Sequence, residues 1–353
     1  MSERPELLQG GHARRGRGVA GRWVTGRGAM RGRGRGRAGL ALLGLVIMAG
    51  ALLGLMAARA SGPTAVALRD VGRSAGAHRV TAGERSAPSP SRYGTQLAPA
   101  SERVNVSIKL GLRSGLLFDV RTGEVLWRLH PDRALAIASL TKMMTALVVV
   151  AHSRPTDQVL ITPAAVHFSG SGVGLLPVHK RVPLLALMYG LLLPSGNDAA
   201  IALAQHVAGT RSRFISMMNA RAAQLGLLCT HFTTVSGIVD RGNHSCAADL
   251  AILTQAVLKQ PLLAQIVGTR SVVLPFPIKH GKLYLYNNNP LLVLRYPGAD
   301  GIKTGYTDAS GPCLVVTARR GRAWLGVVLL HSGDTIDQAE RLLNAGFAKL
   351  KRA

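Results

Sequence analysis

The chain runs to 353 residues, with a formal net charge of +26 and an apolar fraction of 47%. That length accommodates one large domain or two with ample core, and that apolar fraction excludes a wholly disordered chain. Arginine supplies most of the positive excess, because nine of the 43 basic residues are lysine.

Residues 1–37 are rich in Gly and Arg and end in Arg31-Gly32-Arg33-Gly34-Arg35-Gly36-Arg37. No core can form from such a composition, so a basic, disordered N-terminus is expected. Ala38–Ala58 is an uncharged run of 21 residues, long enough to span a bilayer. A basic flank before an apolar run is an export signal, with the arginines kept on the cytoplasmic side. Ala58-Arg59-Ala60 offers a cleavage site, whereas 21 residues is long for a signal core, so anchor and cleaved leader both stay open. A start at Met30 would give a leader of common length. Arg-Gly repeats can bind RNA, but the apolar segment directs the rest of the chain out of the cytoplasm, and no nucleic-acid partner is expected. The expected location is the outer face of the cell membrane or the cell wall. Residues 61–105, with Ser86-Ala87-Pro88-Ser89-Pro90-Ser91, read as a flexible spacer.

The folded domain is expected over 106–353, where 26 basic side chains face 12 acidic ones. A positive domain suits an anionic partner such as a membrane surface or charged wall polymer, and equally a merely solubilising surface. Gly115–Val120 and Glu124–Leu129 read as strands joined by a turn at Arg121-Thr122-Gly123. A helix is expected to start at Ser139 and continue through Val148, Val149, Val150 and Ala151. Residues 155–265 read as mostly helical, with helices over Val182–Leu193, Asp198–Val207 and Arg211–Leu225. Thr269–Ala318 reads as strands, with turns at Lys279-His280-Gly281 and Tyr296-Pro297-Gly298, and Ala323–Leu330 as a buried strand. Asp334 is expected to cap a last helix with Ile336, Ala339, Leu342, Leu343 and Phe347 on one face. Strands, a helical insertion, further strands and a terminal helix make an α+β plan, with a cleft between sheet and helical subdomain.

Cys229, Cys246 and Cys313 include no Cys-x-x-Cys, and no histidines fall at zinc-hydrolase spacing. No metal or cofactor is therefore expected. One disulfide could form, but spacing does not choose its partners, and scattered core thiols are the default.

Three short motifs carry the chemistry. Ser139 precedes Lys142 by three residues, which puts hydroxyl and amine on one helical face. A serine is a poor nucleophile until a base takes its proton, and a neutral lysine can be that base. Such a lysine must lose its charge near neutral pH, which apolar surroundings or a neighbouring cation promote. Ser195-Gly196-Asn197 and Lys303-Thr304-Gly305 follow in order. Each alone is weak. Ser139 could be a helix cap, Ser195-Gly196-Asn197 a capping turn with Asp198 as favourable N-terminal charge, and Lys303 a surface ion pair with Asp300.

Together, with the longer strings Ala138–Thr145, Leu193–Ala199 and Asp300–Thr307, they resemble the penicillin-binding serine D,D-peptidases, specifically the low-molecular-mass D-alanyl-D-alanine carboxypeptidases. The resemblance runs from roughly Gly115 to Phe347. It implies a β-lactamase/D,D-peptidase-like α+β fold, an antiparallel sheet flanked by helices. It implies a peptidoglycan stem peptide ending in D-Ala-D-Ala as substrate, and β-lactams as covalent inhibitors. It implies Ser139 as nucleophile, Lys142 as its base, Ser195 as proton relay to the leaving amine, and Asn197 as the group orienting substrate and Lys142. Lys303 and Thr304 would bind the substrate carboxylate, Lys303 would also repel the proton of Lys142, and Gly305 would let the strand approach the substrate. The backbone N–H groups of Ser139 and Tyr306 would form the oxyanion hole. A D,D-endopeptidase would use the same motifs. A class A β-lactamase needs a deacylating glutamate, and none occurs between Glu124 and Glu340. A non-catalytic wall-binding or β-lactam-sensing module would have no need of Ser139, Lys142 and Lys303 together.

Overall fold

The computed structural model describes residues 104–106, 111–238 and 241–351. The basic N-terminus, the apolar run over 38–58 and nearly all of the expected spacer lie outside these residues. Strands β1 (Leu112–Asp119) and β2 (Val125–Leu129) form the first hairpin. Its turn is closed by Asp119 Oδ1, which accepts from the backbone N–H of Arg121 and of Thr122, each at 2.8 Å. A short β3 (Leu135–Ala136) leads into a 3-10 turn over Ala138–Thr141 and then α1 (Lys142–His152). Next come β4 (Gln158–Leu160), α2 (Pro163–Val166), β5 (Arg181–Pro183), and the helices α3 (Leu184–Leu192), α4 (Asn197–Ala208) and α5 (Arg211–Gln224). The helical layer is completed by β6 (His244–Ser245), α6 (Ala247–Leu258) and α7 (Pro261–Gly268). The chain then forms the hairpin of β7 (Ser271–Pro275) and β8 (Lys282–Tyr286), the short α8 (Pro290–Val293), and β9 (Ala299–Gly305). It ends with β10 (Cys313–Arg320), β11 (Ala323–Ser332) and α9 (Thr335–Lys351).

The five long strands make one antiparallel sheet in the order β2-β1-β11-β10-β9. Side chains alternate between its faces, and both faces are covered, so β11 reads as a continuous apolar run. Leu325, Val327 and Leu329 of β11 pack with Ala339, Leu342, Leu343 and Phe347 of α9. Val328 and Leu330 point the other way, into a larger core shared with α1, α3, α4 and α6. Each fully buried Leu, Val or Phe contributes about 1.5–3 kcal/mol, which makes the two cores the main cohesive term. The α+β plan with a helical subdomain is therefore the observed one.

Several local expectations need correction. The helix does not begin at Ser139: that residue lies in the 3-10 turn, and α1 starts at Lys142. The spacing argument survives, because a 3-10 turn has three residues per turn and eclipses i with i+3. The strand-like region after Thr269 contains a helical turn, α8, started by Pro290 and capped by Asn289, whose Oδ1 accepts from Leu291 N at 3.1 Å. Asp334 caps α9 through Ile336 N and Asp337 N, both at 3.0 Å, but Ile336 is exposed rather than on the buried face. The cysteines are not scattered thiols: Cys229 and Cys246 form a disulfide with Cα atoms 5.9 Å apart, while Cys313 is buried outside it. Among the described residues no single helix is long and apolar enough to cross a membrane.

Candidate active site

The site lies where the Ala138–Thr141 turn meets the end of β9, with the start of α4 and the loop around Ser236 closing it from the helical side. Ala138 holds a left-handed φ of 45°, an uncommon conformation for a non-glycine residue. Two contacts fix the turn. Thr141 Oγ1 donates to Ala138 O at 2.8 Å, and Asn243 Nδ2 donates to Thr141 Oγ1 at 2.9 Å.

Lys142 is fully buried, and its Nζ has three neighbours: Ser139 Oγ at 2.9 Å, Asn197 Oδ1 at 2.7 Å and Ser236 O at 2.8 Å. Two of these are carbonyl oxygens, which only accept. A neutral amine has two N–H bonds and one lone pair. With both N–H bonds donated to the carbonyls, the lone pair is left for the Ser139 hydroxyl, which then donates to it. Burial holds the Lys142 pKa well below its ordinary value; the Lys303 charge acts in the same direction and Asp198 opposes both. Of the two causes that the sequence suggested, burial is thus the larger and Lys303 repulsion the second.

Asn197 opens α4 and uses both ends of its amide, since its Nδ2 also donates to Ser169 O at 2.6 Å. Ser195, just before it, has φ 70°, is buried, and its Oγ has no hydrogen-bond partner among the described residues. Lys303 is also buried, with Nζ donating to Thr304 O at 3.0 Å and its pKa lowered to about 7 by burial. The surface ion pair with Asp300 is absent: the Asp300 carboxylate instead accepts from Thr317 Oγ1 at 2.5 Å.

Gly305 serves a nearer contact than the one expected of it. A Cβ there would sit 2.9 Å from Ile137 O and 3.1 Å from Ser139 N, so the missing side chain lets β9 close on the serine-bearing turn itself. Tyr306 follows, 64% exposed, with its hydroxyl donating to Asp308 Oδ1 at 3.3 Å.

Sequence reasoning missed two contributors and the main role of a third. Ser236 acts through its backbone carbonyl, which carries no side-chain signal; the one hint is Gly237, with φ 79° and a notional Cβ only 1.8 Å from Ala138 O. Asn243 gives no sign in the sequence because its partner, Thr141, lies 102 residues away. Asp198 does more than add favourable charge at a helix start. It is a buried clamp: Oδ1 accepts from Val173 N at 2.9 Å and Ala199 N at 2.8 Å, and Oδ2 from Gly174 N at 2.8 Å. With its oxygens so occupied, Asp198 is poorly placed to activate a water.

Comparison with known proteins gives this geometry a family. The family model of the D-alanyl-D-alanine carboxypeptidases, peptidase S11, matches residues 102–333. The chain belongs to that family. Among its curated S11 relatives is a D-alanyl-D-alanine carboxypeptidase of Bacillus subtilis, DacF, 33% identical over 59% of this chain and 54% of that protein. Another, from Mycobacterium tuberculosis, is 36% identical over 66% of this chain and 81% of that protein. The chain thus spans little more than half the length of the Bacillus relative. A solved Streptomyces DD-transpeptidase is 32% identical, with a TM-score of 0.65 over 69% of this chain and 100% of that one. A solved D-alanyl-D-alanine carboxypeptidase from Mycobacterium tuberculosis gives 33% identity and a TM-score of 0.64, over 70% of this chain and 96% of that one.

Proposed function

We propose that this S11-family protein is a serine D-alanyl-D-alanine carboxypeptidase that trims peptidoglycan stem peptides outside the cytoplasm. The observation that carries the reading is the three-way placement of Lys142 Nζ between Ser139 Oγ and two carbonyls, in a fully buried position. Ser139 Oγ attacks the carbonyl carbon of the penultimate D-alanine while its proton passes to the lone pair of Lys142. The backbone N–H groups of Ser139 and Tyr306 hold the developing oxyanion. The peptide C–N bond then breaks, and Ser195 relays the proton to the departing D-alanine amine. Its unpartnered Oγ supports that role, since the hydroxyl is uncommitted to the protein. Water hydrolyses the resulting Ser139 ester and restores the starting state. Lys303 and Thr304 bind the terminal carboxylate, whose charge favours the protonated form of a lysine otherwise titrating near 7. Penicillins present a similar acyl group and carboxylate, and would be trapped as the same ester.

The acceptor is the point at which a second reading enters. The Streptomyces relative is named a DD-transpeptidase, and an amine in place of water would turn the same ester toward transpeptidation. An endopeptidase would attack a cross-linked peptide with the same groups. D-alanine release from a peptide ending in D-Ala-D-Ala, with Ser139→Ala as control, tests the reading. Release without transfer to an added amine supports the carboxypeptidase. Predominant transfer, or cleavage confined to cross-linked dimers, would replace it.

A further inference from the structure

Scattered surface cations would be unremarkable on this basic chain, but one group is organised. Arg319, Arg320 and Arg322 cluster at the β10–β11 turn, and Arg121 projects from the β1–β2 turn beside them. The two turns are neighbours, because Val120 N donates to Trp324 O at 2.7 Å and Asp119 pairs with Leu325. A cleft of about 470 Å³ is lined by Arg121, Arg319, Gly321, Arg322 and Trp324. A second, of about 570 Å³, continues past Arg320 and Arg322 to Lys351 at the end of α9.

Aromatic rings hold two of these cations in place. The Arg319 guanidinium lies 4.0 Å from the centre of the Trp324 ring, and that of Arg320 lies 4.9 Å from Tyr296 and 4.4 Å from Phe347. Stacking leaves the N–H edge of a guanidinium open to acceptors, although Arg320 already donates from Nε to Pro297 O at 3.2 Å and from Nη2 to Asn344 Oδ1 at 3.4 Å. Asp119 caps its own turn, and Asp300, which feels the Arg319 charge, accepts its hydrogen bond from Thr317 Oγ1. Among the described residues no carboxylate forms a salt bridge with Arg121, Arg319 or Arg322.

The position of the group is what gives it meaning. Gly305, against which the Ser139 turn packs, pairs with Cys313 at the far end of β10, six residues from Arg319. At a rise of about 3.3 Å per residue, this separates the two ends by about 20 Å. Val104 also lies near the arginine end: its N–H donates to Leu126 O at 3.1 Å, and it packs in the same core as Tyr296 and Phe347.

We propose that this arginine-rich end of the sheet is a docking face for an anionic phospholipid surface. Guanidinium groups bind the lipid phosphates, and the site at the opposite end of the strands is turned away from the bilayer toward the wall. The spacer alone would bring the domain near a membrane without orienting it; the cluster supplies the orientation.

The test uses the domain, residues 93–353, with vesicles of phosphatidylglycerol and phosphatidylcholine against vesicles of phosphatidylcholine alone, read by co-sedimentation. Binding is expected with the anionic vesicles only, and is expected to fade as salt is raised. The combined change Arg121→Gln, Arg319→Gln, Arg320→Gln and Arg322→Gln should weaken it about tenfold or more. Removing four charges from the small hairpins (Lys180→Gln, Arg181→Gln, Lys279→Gln and Lys282→Gln) should leave it nearly intact. The pair Arg121→Gln and Arg322→Gln, which disturbs no ring stacking, should give an intermediate loss. Penicillin acylation of every variant should match the parent, which checks folding and separates this proposal from the enzymatic one. Equal losses from both four-charge sets would reduce the effect to net charge and overturn the docking face. No binding to anionic vesicles, or capture only by an anionic wall polymer, would overturn the lipid assignment.

Discussion

Lys142 Nζ donates to Asn197 Oδ1 across 2.7 Å, joining the first turn of α1 to the first residue of α4. An amide oxygen there accepts a hydrogen bond without bringing a charge, so it can orient the amine while leaving it neutral. Acylation should therefore rise with pH as Lys142 deprotonates and level off above its lowered pKa. Asn197→Asp would place a carboxylate at the same distance, favour the ammonium, and move the rising limb to higher pH. The measurement is the penicillin acylation rate constant across pH for both proteins. A rising limb unmoved by the substitution would remove Lys142 from the role of base.

Lys303 is held buried with a pKa of about 7, well below its ordinary value. The unfolded chain keeps this lysine protonated up to its ordinary pKa. Between about 7 and that value the unfolded state therefore binds the extra proton, and this group makes stability rise with pH. At or below neutrality its burial is a net cost. Lys303→Met should thus stabilise the fold by about 1–4 kcal/mol at neutral pH while acylation by a carboxylate-bearing penicillin falls at least about a hundredfold. Urea denaturation and acylation kinetics on the same sample check both halves.

Asp198 fastens the 169–174 loop to the start of α4 through Val173 N and Gly174 N. Asp198→Asn leaves one oxygen to do the work of two and should cost about 1–3 kcal/mol. The loss should concentrate in the loop, raising KM for a D-Ala-D-Ala peptide more than it lowers kcat. Hydrogen exchange of the loop amides reports the same event directly.

The Cys229–Cys246 disulfide spans 17 residues of sequence, and that stretch carries the Ser236 carbonyl and Asn243. Closing a loop of that size is worth about 3 kcal/mol in the chain-entropy view. Cys229→Ser with Cys246→Ser should lower stability by roughly that amount, and acylation should fall before the far-UV signal does as temperature is raised. Coincident loss of both signals would show that the bond steadies the whole domain rather than the wall of the site.

Much of this site is legible in the chain because its chemistry resides in side chains at fixed short spacing. Ser139 and Lys142 share one turn, Ser195 and Asn197 share another, and Lys303 to Gly305 are consecutive. The order of strands and helices is legible for a similar reason, since period-2 and period-3.6 runs report burial locally. Two kinds of contribution escape. Backbone groups leave no letter in the sequence, as with the Ser236 carbonyl. Long-range partners are not visible from either end, as with Asn243 and Thr141, or Cys229 and Cys246. Gly305 signals a close approach by its lack of a side chain, but only the folded arrangement shows that its neighbour is the turn bearing Ser139.

The most direct measurement is the intact mass of the 93–353 domain over time after adding penicillin, with Ser139→Ala beside it. A lasting one-to-one adduct on the parent domain, absent from the variant, is the expected result. Rapid drug turnover with no lasting adduct, or neither adduct nor turnover, would contradict an acylating Ser139 of the D,D-peptidase kind.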